Sequence, residues 1–180
     1  MPHALIVYES MFGNGHRVAD LVAEGLREAG WRARTERVLD APESPECDLL
    51  VLGGPTHAMG LSRAATRATR SSYVVTEEDA RRVASEPGAD TGRGLREYLS
   101  ALRIVPGQPV AVYDTRGARG PAGAAGSALR RLAGREARIV TGAEHFIVRG
   151  FTGPLRPGEE ERARAWGVRL ASLVAAAVGV

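Results

Sequence analysis

ALIVYESMFGNGHRVADLVAEGL, residues 4–26, is the stretch whose reading decides the fold. Ala4 to Tyr8 is a short apolar run rich in β-formers, as expected of a strand buried on both faces. From Val18 onward, Val18, Leu21, Val22 and Leu26 recur at helical spacing with Arg17, Asp20, Glu24 and Arg27 between them, which predicts an amphipathic helix. A strand that leads straight into a helix through a Gly-containing loop directs free main-chain N–H groups at whatever lies above the strand. The positive end of the helix dipole points the same way. SMFGNG, residues 10–15, is therefore placed to receive an anion.

The rest of the chain repeats that alternation. A second strand is predicted from Trp31 to Leu39, a third in DLLVLGG (Asp48 to Gly54) and a fourth in QPVAVY (Gln108 to Tyr113). A fifth starts at Ala137 to Val140 and resumes at Phe146 to Val148. Helices are expected over 93–103, from Ser127 to Leu132, and from Glu159 to the C-terminus, where Pro157 and an acidic first turn are starting signals. Residues 63–92 carry heavy charge and little apolar periodicity, and read as a surface excursion. Within it Arg63, Arg67 and Arg70 have the spacing of one basic helical face turned to solvent. The fold class is α/β: a doubly wound five-stranded parallel sheet in the order 2-1-3-4-5, with a crevice beyond the carboxyl ends of strands 1, 3 and 4. The loops ESMFGNG, GGPTHAMG and DTRGARG converge there.

Composition narrows the chemistry. At 180 residues a single domain spanning 1–180 is expected. No basic-then-apolar leader precedes the first strand and no apolar run approaches the roughly 18 residues of a membrane span, so the expected location is cytoplasmic. Cys47 is the only cysteine, which excludes an intrachain disulfide and an all-Cys metal site. The chain has no lysine, so all 24 basic residues are arginine. That removes the P-loop ATPase signature, Schiff-base chemistry and lysine general bases. A net charge of +3, dispersed and without aromatic interleaving, does not suggest a nucleic-acid partner. His3, His16, His57 and His145 show no metal-ligand spacing, and Trp31 and Trp166 are expected in the core.

GNGHRV superficially matches G-x-G-x-x-G with Val18 in the last place, but a dinucleotide fingerprint wants its first Gly almost directly on the strand. Here Gly13 stands four residues past Glu9. The longer loop presents the Ser10 hydroxyl, the Asn14 amide and successive main-chain N–H groups, which suits a terminal phosphate monoester. Asn14 is the only asparagine in the chain. In the second loop Gly53 and Gly54 allow close backbone approach, Pro55 stiffens the exit, and Thr56 and His57 supply polar groups at the rim.

Taken together, VYESMFGN with its helix, DLLVLGGPTHAMG, VAVYDTRG and GPLRPGEEERARAWG make the sequence resemble the short FMN-binding flavodoxins over nearly the whole chain apart from 63–92. The resemblance implies that Ser10, Met11, Phe12, Gly13, Asn14 and Gly15 wrap the FMN phosphate. It also implies that Pro55, Thr56, His57 and Ala58 border one side of the isoalloxazine ring and Asp114, Thr115, Arg116 and Gly117 the other. Two departures from the family stand out. Gly15 occupies a place usually held by Thr, and the missing hydroxyl implies binding weaker by about ten- to a hundredfold, which Gly15→Thr would restore. The aromatic pair that commonly sandwiches the ring is thin: the loops offer His57, Met59 and Tyr113, with Tyr73 of the excursion as a lid.

The expected function is electron transfer between larger redox proteins. The alternatives are an NAD(P)H-dependent quinone reductase on the same fold and an apo regulatory module with a decayed flavin site. A sequence pI of about 9.6 suggests an acidic redox partner. Arg116 and Arg119 would raise the potential of a bound flavin.

Overall fold

The computed structural model describes residues 1–118 and 123–178. Its centre is built from β1 (His3–Tyr8), β3 (Leu49–His57) and β5 (Pro109–Arg116), flanked by β2 (Arg32–Arg37) beside β1, and β6 (Arg138–Ile139) and β7 (Glu144–Ile147) beside β5. All of these pairings are parallel. The order is β2-β1-β3-β5-β6, with β7 continuing the edge. The expected fifth strand is thus two short pieces, and the expected order 2-1-3-4-5 is observed. A two-residue strand, β4 (Gly60–Leu61), folds back antiparallel on the end of β3.

Alternation along the strands sorts side chains onto two covered faces. Ala4, Ile6, Tyr8, Leu49, Val51, Ala111, Tyr113 and Phe146 lie under α1 (Asn14–Glu28) and α6 (Glu159–Val178). Leu5, Val7, Leu50, Leu52, Val110 and Val112 lie under α4 (Leu95–Ala101) and α5 (Ala124–Leu132). Trp31 and Trp166 join the first face, as expected.

Three features differ from the sequence reading. β3 runs on through His57 and β5 through Arg116, because Gly54 pairs with Asp114, Pro55 with Thr115, and His57 with Gly60. Residues read as loop are therefore strand. α5 starts at Ala124, three residues earlier than expected, because the Thr56 hydroxyl accepts from the Ala124 N–H (2.9 Å) and the Asp114 carboxylate from the Ala125 N–H (3.0 Å).

The third difference is the segment 63–92, which is structured: α2 (Ala64–Ala68), a 3-10 turn at Arg70–Tyr73 and α3 (Glu77–Ala84). α3 opens on reciprocal bonds between Thr76 and Asp79, in which the hydroxyl accepts the Asp79 N–H (3.1 Å) and the carboxylate accepts the Thr76 N–H (2.9 Å). The basic solvent face expected from Arg63, Arg67 and Arg70 does not exist. Arg67 and Arg70 are buried, Arg67 against Ser62 and Glu97, Arg70 against main-chain carbonyls. Among the described residues no helix is long and apolar enough to cross a membrane, and no cluster of His, Cys, Asp and Glu could hold a metal ion.

Candidate functional site

At the carboxyl ends of β1, β3 and β5 the chain leaves a cavity of about 490 Å³, within the size range of small-molecule and cofactor sites. A second hollow, of about 570 Å³, lies around Ser100, Arg103 and Arg135. It is shallow and formed at the far ends of α4 and α5, where the open sheet presents no strand carboxyl ends, so the first cavity is the candidate site.

The loop after β1 sets one wall. Gly13 adopts φ +83° as the residue before α1, with no side chain capping the helix. The first N–H groups of α1 thus have no partner within the helix. Gly15 is tightly enclosed: a Cβ there would stand 2.5 Å from the Glu9 carbonyl oxygen and 3.4 Å from the Ser10 Cβ. The buried Tyr113 hydroxyl donates to the Gly15 carbonyl at 2.8 Å and holds the first turn of α1 down on the sheet. Glycine at position 15 is a packing requirement, and the expectation that Gly15→Thr would restore a donor is corrected by the absence of room for its side chain.

Most of the residues expected at the site line this cavity. Ser10, Met11, Phe12, Asn14 and Gly15 do so from the first loop, Pro55, Thr56, His57 and Ala58 from the end of β3, and Thr115, Arg116 and Gly117 from the end of β5. Gly13 and Asp114 are not among the lining residues. The Asp114 carboxylate is fully buried between the start of α5 and His145, whose Nδ1 lies 2.8 Å away. Arg119 lies outside the described residues.

Among the lining groups Ser10 is the most telling. Its hydroxyl is buried and has no hydrogen-bond partner among the described residues. Buried hydroxyls in folded proteins are nearly always bonded, so one left open beside main-chain N–H groups that lack a partner within their helix fits a ligand with acceptor oxygens. The Asn14 amide is partly engaged, donating to the Thr152 carbonyl at 2.8 Å and so tying the 150–153 turn to the same loop.

On the far wall sequence reading offers Tyr73 as a lid and misses Phe151. Tyr73 and Phe151 line the cavity with Phe12: Tyr73 meets Phe12 edge-on at 6.4 Å and lies tilted against Phe151 at 5.3 Å. Phe151 and Met59 are largely exposed at the rim. Tyr113 is not part of this wall, since its ring is packed in the core against Phe146 and Trp166. Phe151 is invisible in sequence because it sits between Gly150 and Gly153 in what reads as a plain turn.

Electrostatically the cavity leans positive. Among the described residues Arg70 and Arg116 line it and no carboxylate side chain does. Burial, and then Arg67, push the His57 imidazole below its ordinary range, and its Nδ1 lies 3.1 Å from the Thr66 hydroxyl. Behind the loop, burial pushes the Glu9 carboxyl up although it accepts the Leu95 N–H at 2.6 Å.

His16, one turn into α1, reports the docking of segment 63–92. It stacks on Tyr8 (centroids 4.5 Å apart) and its Nδ1 lies 3.1 Å from the buried Glu86 carboxylate. That hydrogen bond raises its pKa above 6.5, with Asp20 adding to the rise and burial and Arg37 opposing it. A histidine whose folded pKa is raised contributes stability that is fully present below its unfolded value and lost as pH rises through the folded one. The melting-temperature advantage of the wild type over His16→Gln is therefore expected to shrink as pH is raised from about 6 to 8. A difference that stays constant across that range would show that the pair does not form.

No protein-family model matches the chain, and no curated protein matches it. Solved structures do. A flavodoxin from the domain Archaea aligns with a TM-score of 0.62 at 12% identity, over 96% of this chain and 99% of its own. The flavodiiron protein from Giardia intestinalis aligns at a TM-score of 0.62 and 15% identity, over 97% of this chain and 36% of that one. A WrbA-like flavodoxin from Agrobacterium tumefaciens aligns at 0.56 and 16% identity, over 98% of this chain and 99% of its own. At such identities the likeness is one of fold, and the fold is flavodoxin-like.

Proposed function

On this flavodoxin-like fold, we propose that the chain binds FMN in the cavity above β1, β3 and β5 and works as a cytoplasmic electron-transfer protein. The observation that carries the reading is the buried Ser10 hydroxyl, unpartnered among the described residues, beside the first N–H groups of α1, which have no partner within the helix. These groups hold the phosphate, while Pro55, Thr56, His57 and Ala58 on one side and Thr115, Arg116 and Gly117 on the other border the ring. Tyr73 and Phe151 shield it from water. A bound flavin supplies one- and two-electron redox chemistry; the chain contributes binding, orientation and the surrounding potential. No side chain here is assigned as acid, base or nucleophile.

Ser10→Ala removes one hydrogen bond to a dianion, so it is expected to weaken FMN by about ten- to a hundredfold and to leave riboflavin, which lacks the phosphate, nearly unchanged. Isothermal titration of the apoprotein with both flavins checks this. Equal losses for both would remove the phosphate assignment.

The redox partner in this reading is an acidic protein, chosen by overall charge: with Arg67 and Arg70 buried, the support is the net charge of +3 and not a local patch. Association with such a partner is expected to slow as salt rises, read by stopped-flow flavin oxidation. Steady oxidation of NAD(P)H by the pure protein with a quinone would instead make it a reductase.

A further inference from the structure

Arg70 is an arginine with only 4% of its surface exposed, yet it lines the same cavity as Ser10, Asn14 and Gly15. Its Nε donates to the Met11 carbonyl at 2.7 Å, inside the loop proposed to hold the phosphate. Nη1 donates to the Glu86 carbonyl at 2.9 Å and Nη2 to the Val83 carbonyl. These partners are neutral dipoles. The one carboxylate within ion-pair reach among the described residues is that of Asp90, 3.9 Å away and itself nearly half exposed. A buried charge is costly unless it is paired, and three carbonyls, a half-exposed carboxylate at 3.9 Å and the Phe12 ring 6.0 Å from Cζ compensate this one only in part.

A guanidinium carries five N–H donors in a rigid fork, and three are accounted for here. The two that remain are one on Nη1, the nitrogen nearest Asp90, and one on Nη2, on a group that borders the cavity. The loop itself, Ser10 to Gly15, contains no cation. We infer that Arg70, from the segment 63–92, is the counter-ion for a phosphate monoester held by the Ser10–Gly15 loop, and that this segment makes the site selective for the phosphorylated flavin. This rests on the reading of the cavity as an FMN site and adds to it a charge brought from outside the loop. The three carbonyl bonds hold the guanidinium in place: Met11 ties it to the loop, while Val83 and Glu86 tie it to the end of α3.

The test is the ratio of affinities for FMN and riboflavin in wild-type apoprotein, Arg70→Gln and Arg70→Lys. Arg70→Gln is expected to lower that ratio by about ten- to a hundredfold through the FMN term, and Arg70→Lys, which keeps the charge, to retain most of it. A ratio unchanged in Arg70→Gln overturns the inference while leaving the flavin site standing. A wild type that binds neither flavin overturns the site itself. Should Arg70→Gln fail to fold, wild type labelled with 15N-arginine decides. A guanidinium resonance absent from Arg70→Lys is expected to shift on addition of FMN and not of riboflavin, and the same response to both flavins overturns the inference.

Discussion

Gly53→Ala is expected to destabilise the protein by more than about 3 kcal/mol, a loss of roughly 10 °C in melting temperature for a domain of this size. A Cβ at position 53 would lie 1.9 Å from the Tyr113 Cζ and 2.4 Å from its hydroxyl oxygen. That ring has nowhere to retreat. It is fully buried, edge-on to Phe146 at 5.9 Å and to Trp166 at 6.1 Å, and its hydroxyl is bonded to the Gly15 carbonyl. The conflict is pairwise, so it should vanish when the ring does: in a Tyr113→Leu background Gly53→Ala is expected to cost under about 1 kcal/mol. Denaturant unfolding of the four proteins gives the coupling directly. An additive cycle would mean that Tyr113 does not lie over Gly53, and that it is not the strut holding the start of α1.

Gly15→Thr is expected to cost about 2–3 kcal/mol of stability and to weaken FMN binding. Reasoning from the loop's chemistry alone gives the opposite sign, since a hydroxyl should help to bind a phosphate. Space reverses it: the Glu9 carbonyl, 2.5 Å from where the Cβ would be, belongs to the chain leaving β1, while the α1 turn is held from the other side by Tyr113. A threonine fits only if the turn lifts off the sheet, and that moves the N–H groups that face the cavity. Melting curves with and without FMN separate the two effects. A stable Gly15→Thr with tighter FMN binding would show that the loop has room for a side chain.

The contrast between these two glycines shows what the sequence could and could not disclose. The strand, the helix and the anion-ready loop between them are legible because each depends on local pattern: an apolar run, a helical period, a Gly-bearing turn. The strand order follows from the alternation of elements. Gly15 has no room for a side chain because it lies against the Glu9 carbonyl, a closeness held by the Tyr113 hydroxyl 98 residues away, and no local pattern carries that. The same holds for Asp114 and Thr56. They read as rim residues, yet Asp114 is sealed under the start of α5, and Thr56 accepts an N–H from that helix. Segment 63–92 misleads because its arginines look solvated, whereas Arg70 is buried and held in place by carbonyls contributed from Met11, Val83 and Glu86. One signal was present there and passes unnoticed: TEED, residues 76–79, is a capping box that announces α3.

Occupancy of the cavity beyond β1, β3 and β5 by FMN is tested most directly by the visible absorption spectrum of the purified protein. The spectrum is read before and after denaturation, with chromatography of what is released, and again after incubation with FMN. The expected result is the visible absorption of an oxidised flavin, present on isolation or acquired with one equivalent of FMN, and release of FMN on unfolding. A folded protein that remains colourless after incubation with excess FMN would contradict the account.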